Sequence, residues 1–289
     1  MLTETPVPDD VVVAYRLEQH FRYSYESVVH NVQQRLMVAP RAVHGSQARR
    51  SFSLTVQGGT SVSAIEVDRF GNDVHTVSVA TVDSAVEFIA TADVDIRETS
   101  GRAPVHRRML RDRRYLAATE LTRPDRCLAR VGAHLARTSS GEELAARICS
   151  WTRSAIEYGY GATTVRTTAA EAAAGGRGVC QDFAHVMLAV CRSVALPARY
   201  VSGHLVGEGG SHAWVEVLLA DGPHATALAF DPTHDRPTTS RYVTVAVGRD
   251  YADVAPTSGT FEGACSSMLT SHKRLFLRQE EPTGTLALS

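Results

Sequence analysis

The sequence predicts an α+β protein in two parts, a β-sandwich-like N-terminal domain followed by a domain in which helices precede an antiparallel sheet. Three observations carry this expectation. Residues 11–97 hold short runs with apolar residues at every second position, separated by turn signals. After residue 100 the apolar spacing changes to three and four residues over "RCLARVGAHLART" and "GEELAARICSWTRSAI". Strand-like runs then return at 198–206, 211–219, 225–231 and 241–247. The expected bounds are a β-rich domain over 1–100, a basic connector over 101–115 and a second domain over 116–289.

In the first part, "FSLTV" carries Phe52, Leu54 and Val56 on one face, and "AIEVDRFGNDVHTVSV" reads as a hairpin with Gly71-Asn72 at its tip. "SAVEFIATADVDI" continues the alternation with Val86 and Phe88. In the second part, Leu144, Ile148, Trp151 and Ile156 form one helical stripe. A further helix after Cys180 places Phe183, Val186, Met187, Val190 and Val194 together. The arginine-dense stretch "RAPVHRRMLRDRRY" (102–115) reads as a solvated connector.

A net charge of −1 argues against a dedicated nucleic-acid or membrane-surface partner. No run of 18 apolar residues occurs, and the acidic opening "MLTETPVPDD" has no apolar core, so neither a membrane span nor a secretory leader is expected. The five cysteines are scattered without a C-x-x-C pair, which suits a reducing cytoplasm better than a disulfide framework or a zinc site.

Of these cysteines, Cys180 alone follows a glycine-rich turn and opens a helix. The unpaired N–H groups of a helix start favour a thiolate there. Bringing a thiol from about 8.5 to near 7 takes about 2 kcal/mol, and a helix terminus usually supplies about 0.3–1 kcal/mol. A reactive Cys180 therefore needs an imidazole beside it. Cys191, on the same helix without either influence, reads as a core residue.

"SHAWVEVLLADGPHATALAFDPTH" (211–234) reads as two strands around a turn. A two-residue Asp221-Gly222 tip pairs Ala220 with Pro223, and the same register sets His212 opposite Asp231. A four-residue loop at Pro223 removes that opposition. The pairing suits a carboxylate that orients an imidazole while its other nitrogen takes the thiol proton. Trp214 and Glu216 share the face of His212. Trp214 reads as core or as a wall of the cleft, with Ser211 beside it. His185 reads as a packing or hydrogen-bonding residue.

"GVCQDFAH", "LPARYVSGHL", "SHAWVEV" and "FDPTHD", in that order, resemble the bacterial transglutaminase-like cysteine enzymes. "YSYESVVHNVQQRLMVAP" and "DRFGNDVHTVSV" are similar to the β-rich domain that often precedes their core. The resemblance spans about residues 12 to 265 and implies a papain-like α+β core. It makes Cys180 the nucleophile, His212 the base and Asp231 the orienter. Two departures lie near the cleft. No tryptophan precedes "FDPT", and only "VGEGG" separates "SGHL" from "SHAW". An oxyanion hole needs the Cys180 N–H and a second donor from among Tyr158, Tyr160 and Gln181.

The expected activity is cleavage or transfer of an amide or peptide acyl group through a thioester, on a protein or peptide substrate. Hydrolysis is favoured over cross-linking, because cross-linkers are a minority of the bacterial members. A non-catalytic binding module on the same fold is the reading from a different class. No metal or nucleotide motif is present, so no cofactor is expected.

Overall fold

The computed structural model describes residues 12–97 and 101–278, so the acidic N-terminal segment and the expected boundary at residue 100 lie outside the described residues. Seven strands come first: β1 (Val12–Tyr25), β2 (Val29–Leu36), β3 (Val43–His44), β4 (Gln47–Gln57), β5 (Ser61–Val67), β6 (Asp73–Val82) and β7 (Ala85–Arg97). Alternation makes them strands. Along β7 each second residue from Val86 to Ile96 is buried, while its neighbours stay half-exposed. The strands form a sandwich of two antiparallel sheets around Phe21, Val32, Leu36, Val77 and Phe88. The β5–β6 hairpin closes over residues 68–72, where the Asp68 carboxylate accepts the N–H groups of Phe70 and Asn72.

The second half continues with β8 (Arg102–Val105), a 3-10 turn (Arg107–Arg111), α1 (Arg113–Leu116), α2 (Arg126–Leu135), α3 (Gly141–Ala155), β9 (Glu157–Tyr158), α4 (Ala169–Gly175), β10 (Arg177–Gly178) and α5 (Cys180–Ser193). Then come β11 (Ala198–Leu205), β12 (His212–Asp221), β13 (His224–Asp231), β14 (Arg236–Pro237), β15 (Tyr242–Gly248) and α6 (Tyr251–Val254). The sheet runs β14-β13-β12-β11-β15, and β8 adds to β13. The arginine-dense stretch thus joins the sheet at its start through β8, while Arg102, Arg107, Arg108, Arg111 and Arg113 stay exposed to solvent. Its β8 residues satisfy backbone groups of β13, and Arg107 donates to the Gly222 carbonyl. No helix among the described residues is long and apolar enough to cross a membrane.

Where the sequence reading groups 116–289 as one unit, the chain instead returns to the first sandwich. β16 (Thr257–Glu262) pairs with β2, and β17 (Ser267–Leu277) pairs with β1 along its whole length. Two side-chain amides join the halves at β15, the edge of the second sheet. Gln47 Nε2 donates to the Thr244 carbonyl at 2.9 Å while its Oε1 accepts the Thr244 N–H at 2.8 Å. Asn72 does the same at Val247, at 2.8 and 2.9 Å. Each amide stands in for the missing neighbour strand and satisfies an otherwise unpaired edge. Nearby, His44 and Arg199 both donate to the buried Glu216 carboxylate, at 2.6 Å each.

Candidate active site

Cys180 is the first residue of α5, half-buried against the main core, with Sγ 4.0 Å from the Ser211 carbonyl oxygen. The preceding Val179 is extended and has no polar side chain to cap the helix. Asp182 does so from inside the first turn, its Oδ2 accepting the Val179 N–H at 2.8 Å and the Thr163 hydroxyl at 2.7 Å. Gly178 makes room for this, since a Cβ there would stand 2.7 Å from Asp182 Oδ2. Burial raises the Asp182 pKa, and these hydrogen bonds oppose the rise. Residues Gln181 to Arg192 are buried on all faces, more than the single stripe expected, because α2, α3 and α4 cover the helix opposite the sheet.

The His212 ring lies against this helix start. Its Nε2–H donates to Asp231 Oδ2 at 2.8 Å. The register that places them differs from expectation. Asp221 pairs with His224 and Val215 with Phe230, so the tip is Gly222-Pro223 and not Asp221-Gly222. Pro223 has no N–H and cannot hold a ladder position opposite Ala220, so it moves to the tip. Gly222, at φ +54°, supplies the positive angle that the first tip position needs. Extended by one pair, this register sets Asp231 opposite Trp214, and His212 lies two residues further on. An offset of two keeps both side chains on one face, and the imidazole spans the diagonal.

Asp231 is fully buried and fully partnered. Oδ2 also accepts from His234 Nδ1 at 2.7 Å and from the Tyr242 hydroxyl at 2.8 Å, and Oδ1 accepts the Thr233 N–H at 2.9 Å. Burial alone would raise its pKa. The hydrogen bond and charge of His212, with His234 and Tyr242, outweigh that and hold the carboxyl well below its usual range. Burial would likewise lower the His212 pKa, but the hydrogen bonds to Asp231, Cys180 and Glu208 push it up to about 12. The carboxylates of Asp231 and Glu208 thus favour the charged form of the His212 ring, one at each nitrogen. Nδ1 faces Glu208 Oε2 at 3.2 Å, and Cys180 is also within hydrogen-bonding reach of the ring.

Glu208 comes from the glycine-rich loop between β11 and β12. His204 holds that loop, its ring lying 3.0 Å from the Gly210 carbonyl and 3.3 Å from Gln19 Oε1 of the first sandwich. Glu208 Oε1 also lies 3.5 Å from His234 Nε2, closing a ring of two carboxylates and two imidazoles. His212, Asp231 and His234 offer atoms within 4.8 Å of one another that could ligate a metal. His212 Nε2 and His234 Nδ1 of this group both hydrogen-bond the one Asp231 oxygen, Oδ2.

Cys180 opens onto a cleft of about 500 Å³. Tyr158, Tyr160, Gln181 and Ser211 all line it. Trp214 does not; it is buried behind His212, its ring stacked at 6.3 Å. His185 is a core residue whose Nε2 accepts the Tyr251 N–H, and burial lowers its pKa to about 3. The sequence reading missed His234, Tyr242 and Glu208. His234 had a signal, three residues beyond Asp231 in a turn. Tyr242 had none, because its strand reaches Asp231 only through the tertiary fold.

A cysteine at a helix start, beside a histidine–aspartate pair on an antiparallel sheet, defines a papain-like α+β protein. Residues 130–231 match the transglutaminase-like superfamily core, and residues 15–95 match the bacterial transglutaminase-like N-terminal region. An uncharacterized protein of Mycobacterium leprae is 34% identical over 226 residues, 75% of this chain and 78% of its own. An uncharacterized protein of Mycobacterium bovis is 40% identical over 114 residues, 35% of this chain and 36% of its own. A candidate cysteine protease from Cytophaga hutchinsonii shares the fold, with a TM-score of 0.75 over 94% of this chain and 93% of that one at 21% identity. The chain belongs to the transglutaminase-like superfamily.

Proposed function

We propose that the protein is a cysteine-dependent acyl enzyme that opens an amide or peptide bond in a protein or peptide substrate. One observation carries this reading: the His212 ring is fixed by Asp231 through one nitrogen and meets Cys180 at the mouth of a cleft. The Cys180 thiolate adds to the substrate carbonyl carbon, and the π pair moves onto oxygen. The oxyanion is received by the Cys180 N–H and by Gln181, whose Nε2 is buried at the cleft with no hydrogen-bond partner. Tyr158 and Tyr160 are weaker donors for this purpose, being exposed and hydrogen-bonded to each other.

His212 gives its Nδ1 proton to the departing amine as the C–N bond breaks, leaving a thioester. Water then adds to the thioester carbon while His212 takes its proton, and the thiolate leaves with release of a carboxylic acid. The five unpaired thiols support a reducing compartment such as the cytoplasm. The test is a peptide library read by mass spectrometry, with and without millimolar primary amine. The expected products depend on Cys180, vanish in Cys180→Ser, and are acid rather than amide. Excess amide product makes the protein a transferase. No Cys180-dependent product overturns the acyl-enzyme reading and leaves a binding module.

A further inference from the structure

One wall of the cleft comes from the first sandwich. β17 pairs with β1, placing Lys273 opposite Gln19. On that strand Ser271, Lys273 and Leu275 share a face. Leu275 packs into the main core, while Ser271 and Lys273 line the cleft that holds Cys180.

Lys273 Nζ lies 3.3 Å from Oγ of Ser211, the residue whose carbonyl meets the Cys180 sulfur, and 5.3 Å from the centre of the Phe21 ring. Among the described residues it forms no ion pair with a carboxylate, and no Asp or Glu lines the cleft. A half-buried ammonium is costly to desolvate and is rarely kept without a counter-charge. Burial lowers its pKa accordingly, and the negative charge of Cys180 opposes that fall. Among the described residues no carboxylate of the cleft balances this cation, and the anion that acts on it, the Cys180 thiolate, loses its charge when it bonds to the substrate carbon.

We propose that Lys273 is a specificity-determining residue that binds a carboxylate of the acyl donor close to the scissile carbonyl. The preferred substrate is then an anionic one, with an acidic side chain or a free chain terminus beside the bond that is opened. This rests on Cys180 being the nucleophile, and the position lies outside both stretches that match the family, 15–95 and 130–231.

Two alkylating reagents of similar size test the proposal without a known substrate: iodoacetate, which carries a carboxylate, and neutral iodoacetamide. The readout is the ratio of their rates at Cys180, by peptide mapping at pH 6. Lys273→Met is expected to lower that ratio roughly tenfold, the effect of one unit charge a few ångströms away in a partly wet cleft. Lys273→Arg is expected to restore it, and high salt to narrow the difference. The ratio at exposed Cys127 serves as the reference. Rapid alkylation of Cys180 with the same ratio in Lys273→Met and wild type overturns the role of Lys273 alone. Alkylation of Cys180 no faster than Cys127 with either reagent overturns the nucleophile reading and this proposal with it.

Discussion

His212 Nε2 lies 2.8 Å from Asp231 Oδ2, although the two residues are two positions out of cross-strand register. Three further donors, His234 Nδ1, the Tyr242 hydroxyl and the Thr233 N–H, hold the carboxylate, so the ring is oriented by an anchor that is itself positioned.

Asp231→Asn keeps the size of this anchor and removes its charge. The rate of acyl-enzyme formation is expected to fall roughly 10- to 10³-fold through lost orientation and a less stable imidazolium. His212→Ala is expected to lose more. A rapid-quench measurement of both variants checks the order.

The pair also sets a pH dependence of stability. The His212 pKa is raised, so its contribution is full below the unfolded value of about 6.5 and fades as pH rises towards the folded value of about 12. The Asp231 pKa is depressed, so its contribution is full above about pH 4 and is lost as pH falls through the folded value. Together they contribute most between about pH 4 and 6.5. The difference in urea midpoint between wild type and His212→Gln is expected to be largest there and smaller at pH 9. A difference that stays flat from pH 5 to 9 contradicts this linkage.

Glu208 supports the charged ring from the Nδ1 side. Glu208→Gln removes one of the hydrogen-bonded charges that raise the His212 pKa, so that pKa is expected to fall. Titration of the His212 ring by NMR reads the direction. An unchanged or higher value shows that the loop carboxylate does not act on the base.

The amide clamps at β15 are expected to matter for folding. Asn72→Ala leaves the Val247 N–H and carbonyl unpaired, and Gln47→Ala leaves the Thr244 N–H unpaired while its carbonyl keeps the Arg41 N–H, at about 1–3 kcal/mol per site. Gln33→Ala, at an exposed position, is expected to change stability by less than about 0.5 kcal/mol. Urea unfolding of the three variants separates these outcomes.

Much of this was legible in the sequence because local periodicity encodes it. The alternation through Val86 and Phe88 marks β7, and the stripe through Leu144 and Ile148 marks α3. The helix start at Cys180 is visible in its glycines. Long-range pairing is not encoded this way. Nothing local in 257–277 shows that these strands pair with β1 and β2, and so nothing places Lys273 beside Cys180. The hairpin tip lies one residue beyond the Asp221-Gly222 turn signal, because Pro223 has no N–H to hold a ladder position.

The claim that Cys180 is the activated nucleophile is tested most directly by iodoacetamide labelling of the folded protein at pH 6, read by peptide mapping. Cys127 is exposed and controls for access. Cys191 lies on the same helix, where burial pushes its thiol up to about 12, and it should stay unmodified. An ordinary thiol is almost wholly protonated at pH 6. Cys180, beside the His212 imidazolium, is expected to react at least roughly tenfold faster than Cys127. His212→Ala is expected to remove that advantage at pH 6 more than at pH 9. Labelling of Cys180 no faster than Cys127 in the wild-type protein would contradict the nucleophile–base pair.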